Sequence, residues 1–265
     1  MTGTEDNFDE HLAAWREYQE SPWGRVRYAV VAHTLSRVLP ADGPRLRVLD
    51  VGGGDGADAL PLARAGHHVT ILDTARGMVG LARDTATREG LEEFVSAVNG
   101  SLDDLACWPA GGFDVVLCHF LLQYRQDSQA DIRLLTRVLR PGGLLSLIAP
   151  NPAGLVLAAA ARRGPGAAEV ELNRHVTHTV TFDQHVRKID QQEAVGCIVQ
   201  EGFTVEGRYG GRCVNDLITD DAAKWDPDYY SDLERLEIAL SDKEPYKLVG
   251  QFWHLIARLP NSDGT

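Results

Sequence analysis

The chain is short of positive charge. Its 265 residues carry 26 Lys and Arg against 38 Asp and Glu, a formal net charge of -12, and the pI is about 5.2. That balance argues against a broad basic surface for nucleic acid while leaving room for a local patch. Cysteine is scarce as well: Cys107, Cys118, Cys197 and Cys213 stand far apart with no C-x-x-C pair. They read as reduced structural thiols of a cytoplasmic protein. Long apolar runs are missing. The longest, near Leu144 to Ala161, is broken by Pro150, Asn151 and Pro152, so no membrane span is expected. Residues 1–20 are acidic and polar, without the apolar core of a secretory signal. No internal repeat is present, and the apolar content of 44% is ordinary. The length suffices for one elaborated domain, or one domain with a small cap.

What the chain does have is glycine concentrated at one place. Val48 to Val51 reads as a buried strand, and Gly52, Gly53, Gly54 and Gly56 end it in a tight turn. Glycine accepts φ > 0 and lets a backbone touch a ligand. The pattern from Ala57 to Ala65 turns helical, so amides face whatever sits on the turn. Strand, turn and helix form the nucleotide-binding corner of an open α/β sheet. Gly52, Gly54 and Ala57 also satisfy a dinucleotide spacing, so an NAD cofactor and a ligand-free turn both stay open. Asp50 favours S-adenosylmethionine: a pyrophosphate gains little from a carboxylate at the strand's end, whereas an ammonium is held there by charge-assisted hydrogen bonds.

Strand and helix alternate onward. His68 to Asp73 is a strand, Gly77 to Arg88 a helix, Glu93 to Val98 a strand, and Phe113 to Cys118 a fourth. Asp131 to Leu139 is helical, and Leu144 to Ala149 follows Pro141-Gly142-Gly143 as a fifth strand. Asp73 ends the second strand, where an acid accepts the ribose hydroxyls of an adenine nucleoside; Thr74 beside it and Met78 on the next helix are counted with it as cofactor contacts. His119 lies where such sheets bind ligands and is the one catalytic candidate, although a lone histidine after a buried strand is more often structural.

Before this core, Phe8 to Tyr18 and Arg25 to Leu39 read as helices that could cover the cofactor mouth. After it, Gly154 to Arg163 is helical, while Glu169 to Ile189 is polar, without clear periodicity, and reads as a cap. Its His175, His178 and His185 read as a solvated face, and no metal is expected. Gln191 to Glu201 and Tyr229 to Leu240 are helical; Phe203 to Cys213 and Leu248 to Leu259 hold strands. One domain is therefore expected: N-terminal helices over 1–40, a cofactor-binding core over 45–150, a cap over 151–190, and a C-terminal part over 191–260.

Asp50-x-Gly52-x-Gly54-x-Gly56 and Phe113-Asp114-Val115-Val116…Leu139-Arg140-Pro141-Gly142-Gly143 resemble the motifs of class I methyltransferases. Over nearly the whole chain the sequence is similar to the tRNA 5-carboxymethoxyuridine methyltransferase family. The likeness rests on Asn7-Phe8-Asp9, Gly24-Arg25-Val26-Arg27, Leu46 to Gly56, Gly66-His67-His68-Val69, Cys118-His119, Gly211-Arg212 and Glu244-Pro245-Tyr246. The resemblance implies a Rossmann-like, doubly wound seven-stranded sheet closed by an antiparallel hairpin. It implies cofactor contacts at Arg27, Gly52, Gly53, Asp73, Leu102, Asp103 and His119, with Arg27 toward the methionine carboxylate and Leu102-Asp103 toward the adenine amine. Arg212 is the candidate for an acceptor carboxylate, with Tyr124, Asn151 and Tyr246 behind it. That family carries a lysine-rich segment where this chain reads Glu169 to His175, and phosphate contacts depend on such charge.

The function expected is methyl transfer from S-adenosylmethionine to an oxygen or nitrogen of a small molecule, a carboxylate among the candidates. The alternative is esterification of tRNA wobble 5-carboxymethoxyuridine. A non-catalytic protein that binds S-adenosylmethionine or a nucleoside is the reading of another class.

Overall fold

The computed structural model describes residues 12–40, 43–179 and 183–261. Strands β1 (Arg47–Val51), β2 (His68–Asp73), β3 (Val95–Asn99), β4 (Phe113–His119), β5 (Leu139–Pro150), β8 (Thr204–Gly211) and β9 (Phe252–Arg258) build one sheet. Its order is β3-β2-β1-β4-β5-β9-β8. The first five strands are parallel, and β9 enters antiparallel between β5 and β8. Both faces are covered, which is why the strands read as near-continuous apolar runs. Leu49, Val51, Val116 and Leu147 face one core with Ile132, Leu135 and Trp253. Val48, Ile71, Val115 and Leu117 face the other with Val31, Leu35 and Val79. The strand order reverses between β1 and β4, so a crevice opens at their carboxyl ends.

Helices Leu12–Glu20 and Pro22–Val38 precede the sheet; Phe8 lies outside the described residues. Ser21 separates the two, its Oγ accepting the Gly24 N–H at 3.1 Å, with Pro22 at the first helical position. A Cβ on Gly24 would stand 2.0 Å from the Tyr18 carbonyl oxygen. Only glycine permits this crossing.

Several boundaries differ from expectation for local reasons. The helix after the glycine loop is only Leu60–Arg64, because residues 56–59 remain in turns that bond the Gly53 and Gly56 carbonyls. Pro141-Gly142-Gly143 does not stop β5 but sits inside a register shift within it. The last strand begins at Phe252, since Tyr246–Leu248 forms a 3₁₀ turn. The polar cap contains a helix, Pro165–Leu172, and a hairpin of β6 (Val176–Thr179) and β7 (Gln184–Arg187). Among the described residues of that hairpin only Thr177 and Val186, facing each other across it, are buried. Two inward residues are too few for a readable period.

Candidate active site

A cavity of about 700 Å³ lies over the carboxyl ends of β1, β2 and β4. At one end the glycine loop folds around Asp50. Gly52 and Gly54 hold left-handed φ of 71° and 56°, and a Cβ on Gly53 would come 2.6 Å from the Asp50 carboxyl carbon. Asp50 is 1% exposed, and its Oδ2 has no hydrogen-bond partner among the described residues. An unpaired buried carboxylate oxygen is unfavourable. Burial, reinforced by the charge of Asp58 and opposed by Arg27, pushes this carboxyl well above the usual carboxylate range. An ammonium in the cavity relieves both penalties, so the loop fits the methionine end of S-adenosylmethionine. Asp73 accepts the Gly54 and Ala75 N–H groups, each at 2.8 Å, and so clamps the loops after β1 and β2 together. Thr74, Met78 and Leu102 line the same end, completing a nucleoside-sized bed. When bound, that cofactor supplies an electrophilic methyl group on sulfur.

Behind the loop runs a buried polar relay. Arg27 donates through Nη1 to Asp58 Oδ1 at 2.5 Å and through Nη2 to Oδ2 at 2.6 Å. Asp58 Oδ2 also lies 2.8 Å from His119 Nδ1; His119 Nε2 is 2.8 Å from Ser146 Oγ, which is 2.7 Å from His254 Nε2. Burial works to raise the Asp58 carboxyl, but the Arg27 charge and His119 outweigh it and hold it well below the usual range. Burial depresses both histidines, His254 the more strongly. With Asp58 ionised and both rings neutral, the protons can be counted. His119 Nδ1–H donates to Asp58, Ser146 Oγ–H donates to His119 Nε2, and His254 Nε2–H donates to Ser146 Oγ. His254 Nδ1 is left without a partner among the described residues. His119 therefore lines the cavity but keeps no lone pair with which to take a proton. Of the two readings open for His119, this geometry favours the structural one over the catalytic candidate.

At the other end the wall comprises Tyr18 and Trp23 from the N-terminal helices, Leu155, Thr177, His178 and Thr179 from the cap, Tyr124, and Arg212. Tyr124 shares side-chain hydrogen bonds with Thr179 and Gln123, and burial raises its phenol. Arg212, at the end of β8, is 15% exposed. It donates from Nε to Asp216 Oδ2 at 2.8 Å and from Nη2 to Asp216 Oδ1. No described residue takes a hydrogen bond from Nη1. The edge formed by Nη1 and the second Nη2 hydrogen remains a two-pronged donor.

Three expected site residues stand elsewhere. Asp103 is turned away from the cavity by a bidentate contact to Arg125, at 3.0 and 2.6 Å, so its carboxylate does not reach the adenine end. Asn151 caps the helix Pro152–Arg163 and donates to the Leu248 carbonyl at 2.9 Å. Tyr246 is 46% exposed on its 3₁₀ turn, outside the lining. Among the residues missed were Asp58, Ser146 and His254. A signal for the last two existed: each is a lone polar residue inside an apolar strand, and buried polar groups need partners.

Known methyltransferases resemble this chain in sequence and in fold. A family model described as a methyltransferase domain matches residues 48–143, which is the stretch from β1 into β5. The tRNA 5-carboxymethoxyuridine methyltransferase of Escherichia coli strain K12 is 29% identical over 97% of this chain and 97% of its own. The chain carries a methyltransferase domain and is an S-adenosylmethionine-dependent methyltransferase. A ubiquinone biosynthesis O-methyltransferase of Xanthomonas axonopodis pv. citri is 40% identical to this methyltransferase, over 48% of the chain and 52% of its own length. The crystal structure of an S-adenosylmethionine-dependent methyltransferase from Mesorhizobium loti shares the fold at a TM-score of 0.59 and 20% identity, covering 88% of this chain and 99% of that one. No helix among the described residues is long and apolar enough to cross a membrane.

Proposed function

We propose that this methyltransferase esterifies a carboxylate, and that the acceptor is 5-carboxymethoxyuridine in tRNA. The carrying observation is the open edge of Arg212 in the acceptor end of the cavity. A guanidinium edge of that shape matches a carboxylate in a bidentate way. A carboxylate is already ionised near neutral pH, so its methylation needs alignment with the methyl group and no general base. That suits a site whose His119 has both ring nitrogens engaged. The Escherichia coli relative supports this reading because its similarity extends through the cap and the C-terminal strands. Such an acceptor would place the protein in the cytoplasm.

The test is methyl transfer from labelled S-adenosylmethionine to an anticodon stem-loop carrying 5-carboxymethoxyuridine, beside the unmodified stem-loop. Label that depends on the modification and is released by mild alkali, as an ester is, supports the proposal. Equal labelling of both, or of neither, sinks it.

One observation favours a second reading, O-methylation of a small hydroxyl compound. His178 lines the acceptor end with its Nε2 2.7 Å from Asp183 Oδ1, an arrangement suited to a general base. The acidic surface points the same way, since it offers a nucleic acid few phosphate contacts.

A further inference from the structure

Arg212 leaves β8 with φ of 55°, a left-handed conformation that a non-glycine residue holds only when its surroundings impose it. The restraint comes from a residue outside the cavity lining. Glu237, on the helix Pro227–Leu240, is 0% exposed. Its Oε2 accepts the Cys213 N–H at 2.6 Å, and its Oε1 accepts the Val214 and Asn215 N–H groups at 2.9 and 2.7 Å. Three successive amides thus converge on one buried carboxylate, an anion nest filled from within the chain. Asn215 in turn donates from Nδ2 to Asp216 Oδ2 at 3.2 Å, and its carbonyl is held by Lys224 Nζ at 2.7 Å. Asp216 is the group that sets the roll of the Arg212 guanidinium.

We propose that Glu237 is a positioning residue for the acceptor: it holds the 213–216 loop so that Asp216 turns the open edge of Arg212 into the cavity. This rests on the reading of Arg212 as the acceptor's carboxylate contact. The helix Pro227–Leu240 thereby controls acceptor recognition without touching the acceptor. A purely structural Glu237 would lower stability without singling out the acceptor.

E237Q keeps the volume but replaces one accepting oxygen with a donor that faces backbone N–H. In the full-length enzyme with the carboxymethoxyuridine stem-loop, E237Q is expected to raise acceptor KM about tenfold. The kcat and the Kd for adenosylhomocysteine should stay within about twofold. R212A/E237Q should then be no worse than R212A, because both changes remove the same contact. Effects that add in the double variant overturn the positioning role while leaving the carboxylate reading intact. An unchanged KM in R212A overturns both. Hydrogen exchange gives a readout that needs no acceptor: amides 213–215 should exchange at least about tenfold faster in E237Q, with β9 unchanged. Unaltered protection there refutes the proposal on its own.

Discussion

Two arginines line the same cavity and are paired with aspartates in opposite ways. Arg27 offers Asp58 its Nη1/Nη2 edge, and His119 closes the carboxylate from the far side. Arg212 offers Asp216 its Nε side instead, so the Nη1/Nη2 edge stays open. The first pair is 5% and 9% exposed, the second 15% and 14%. A closed, buried fork neutralises itself and supports its neighbours. An open one can still receive an anion. The presence of arginine at a site therefore says less than which edge of the guanidinium is occupied. For Arg27 the consequence is that only Nε–H and the outer Nη hydrogens remain for a methionine carboxylate.

The sharpest way to break this contrast is D58N. It leaves Arg27 charged and buried, so urea unfolding should show a loss of about 3–5 kcal/mol, whereas D216N, beside the more open Arg212, should lose less than about 2 kcal/mol. If both lose equally, the distinction between a structural and a receiving pair fails. Next in size is R212K. A point charge cannot reproduce the two-pronged edge, so acceptor KM should rise about 10- to 30-fold with adenosylhomocysteine binding intact, by steady-state kinetics and calorimetry.

A smaller effect, at the cofactor end, concerns Asp50. Its raised carboxyl must ionise to hold an ammonium, so affinity for adenosylhomocysteine is full above that raised value and falls as pH drops through it. Calorimetry across a pH series should show this slope in the wild type. In D50N the slope should vanish and Kd should rise about tenfold, as for loss of one charge-assisted hydrogen bond. Smallest of all is the expectation for kcat on a carboxylate acceptor, which should change less than about threefold between pH 6 and 8. His119 is held neutral by burial and has no proton-accepting atom free. A histidine-like limb in that profile would return a base to the mechanism.

The cofactor end was legible because its chemistry is written in contiguous residues: a strand, its acid and a glycine turn need one another within ten positions. The sheet was legible for the same reason, since β1, β2 and β4 are each short and mostly apolar. The acceptor end was not. Arg212 was found by resemblance, but Asp216 and Glu237, which aim it, are joined only by the packing of one helix against a loop. Asp103 and Asn151 were misplaced because each has a local partner, Arg125 and the end of a helix, that sequence spacing does not rank against a ligand. Ser146 and His254 sit on neighbouring antiparallel strands, where β5 residue 148 pairs with His254. Their meeting is set by register, which the chain order alone does not reveal.

The direction of the relay from His254 through Ser146 to Asp58 constrains how this chain can vary. Every hydrogen bond in it points toward the carboxylate, so position 146 must both give and receive a proton, as serine and threonine do and alanine and valine do not. Position 254 need only give one, which a glutamine amide also does. Among relatives, loss of the hydroxyl at 146 should therefore appear together with an apolar residue at 254 and a changed partner for 119. Lineages that keep Asp58 and His119 should keep a hydroxyl at 146 as well. Drift in this buried line is a matter of permitted combinations, and single positions read alone will look freer than they are.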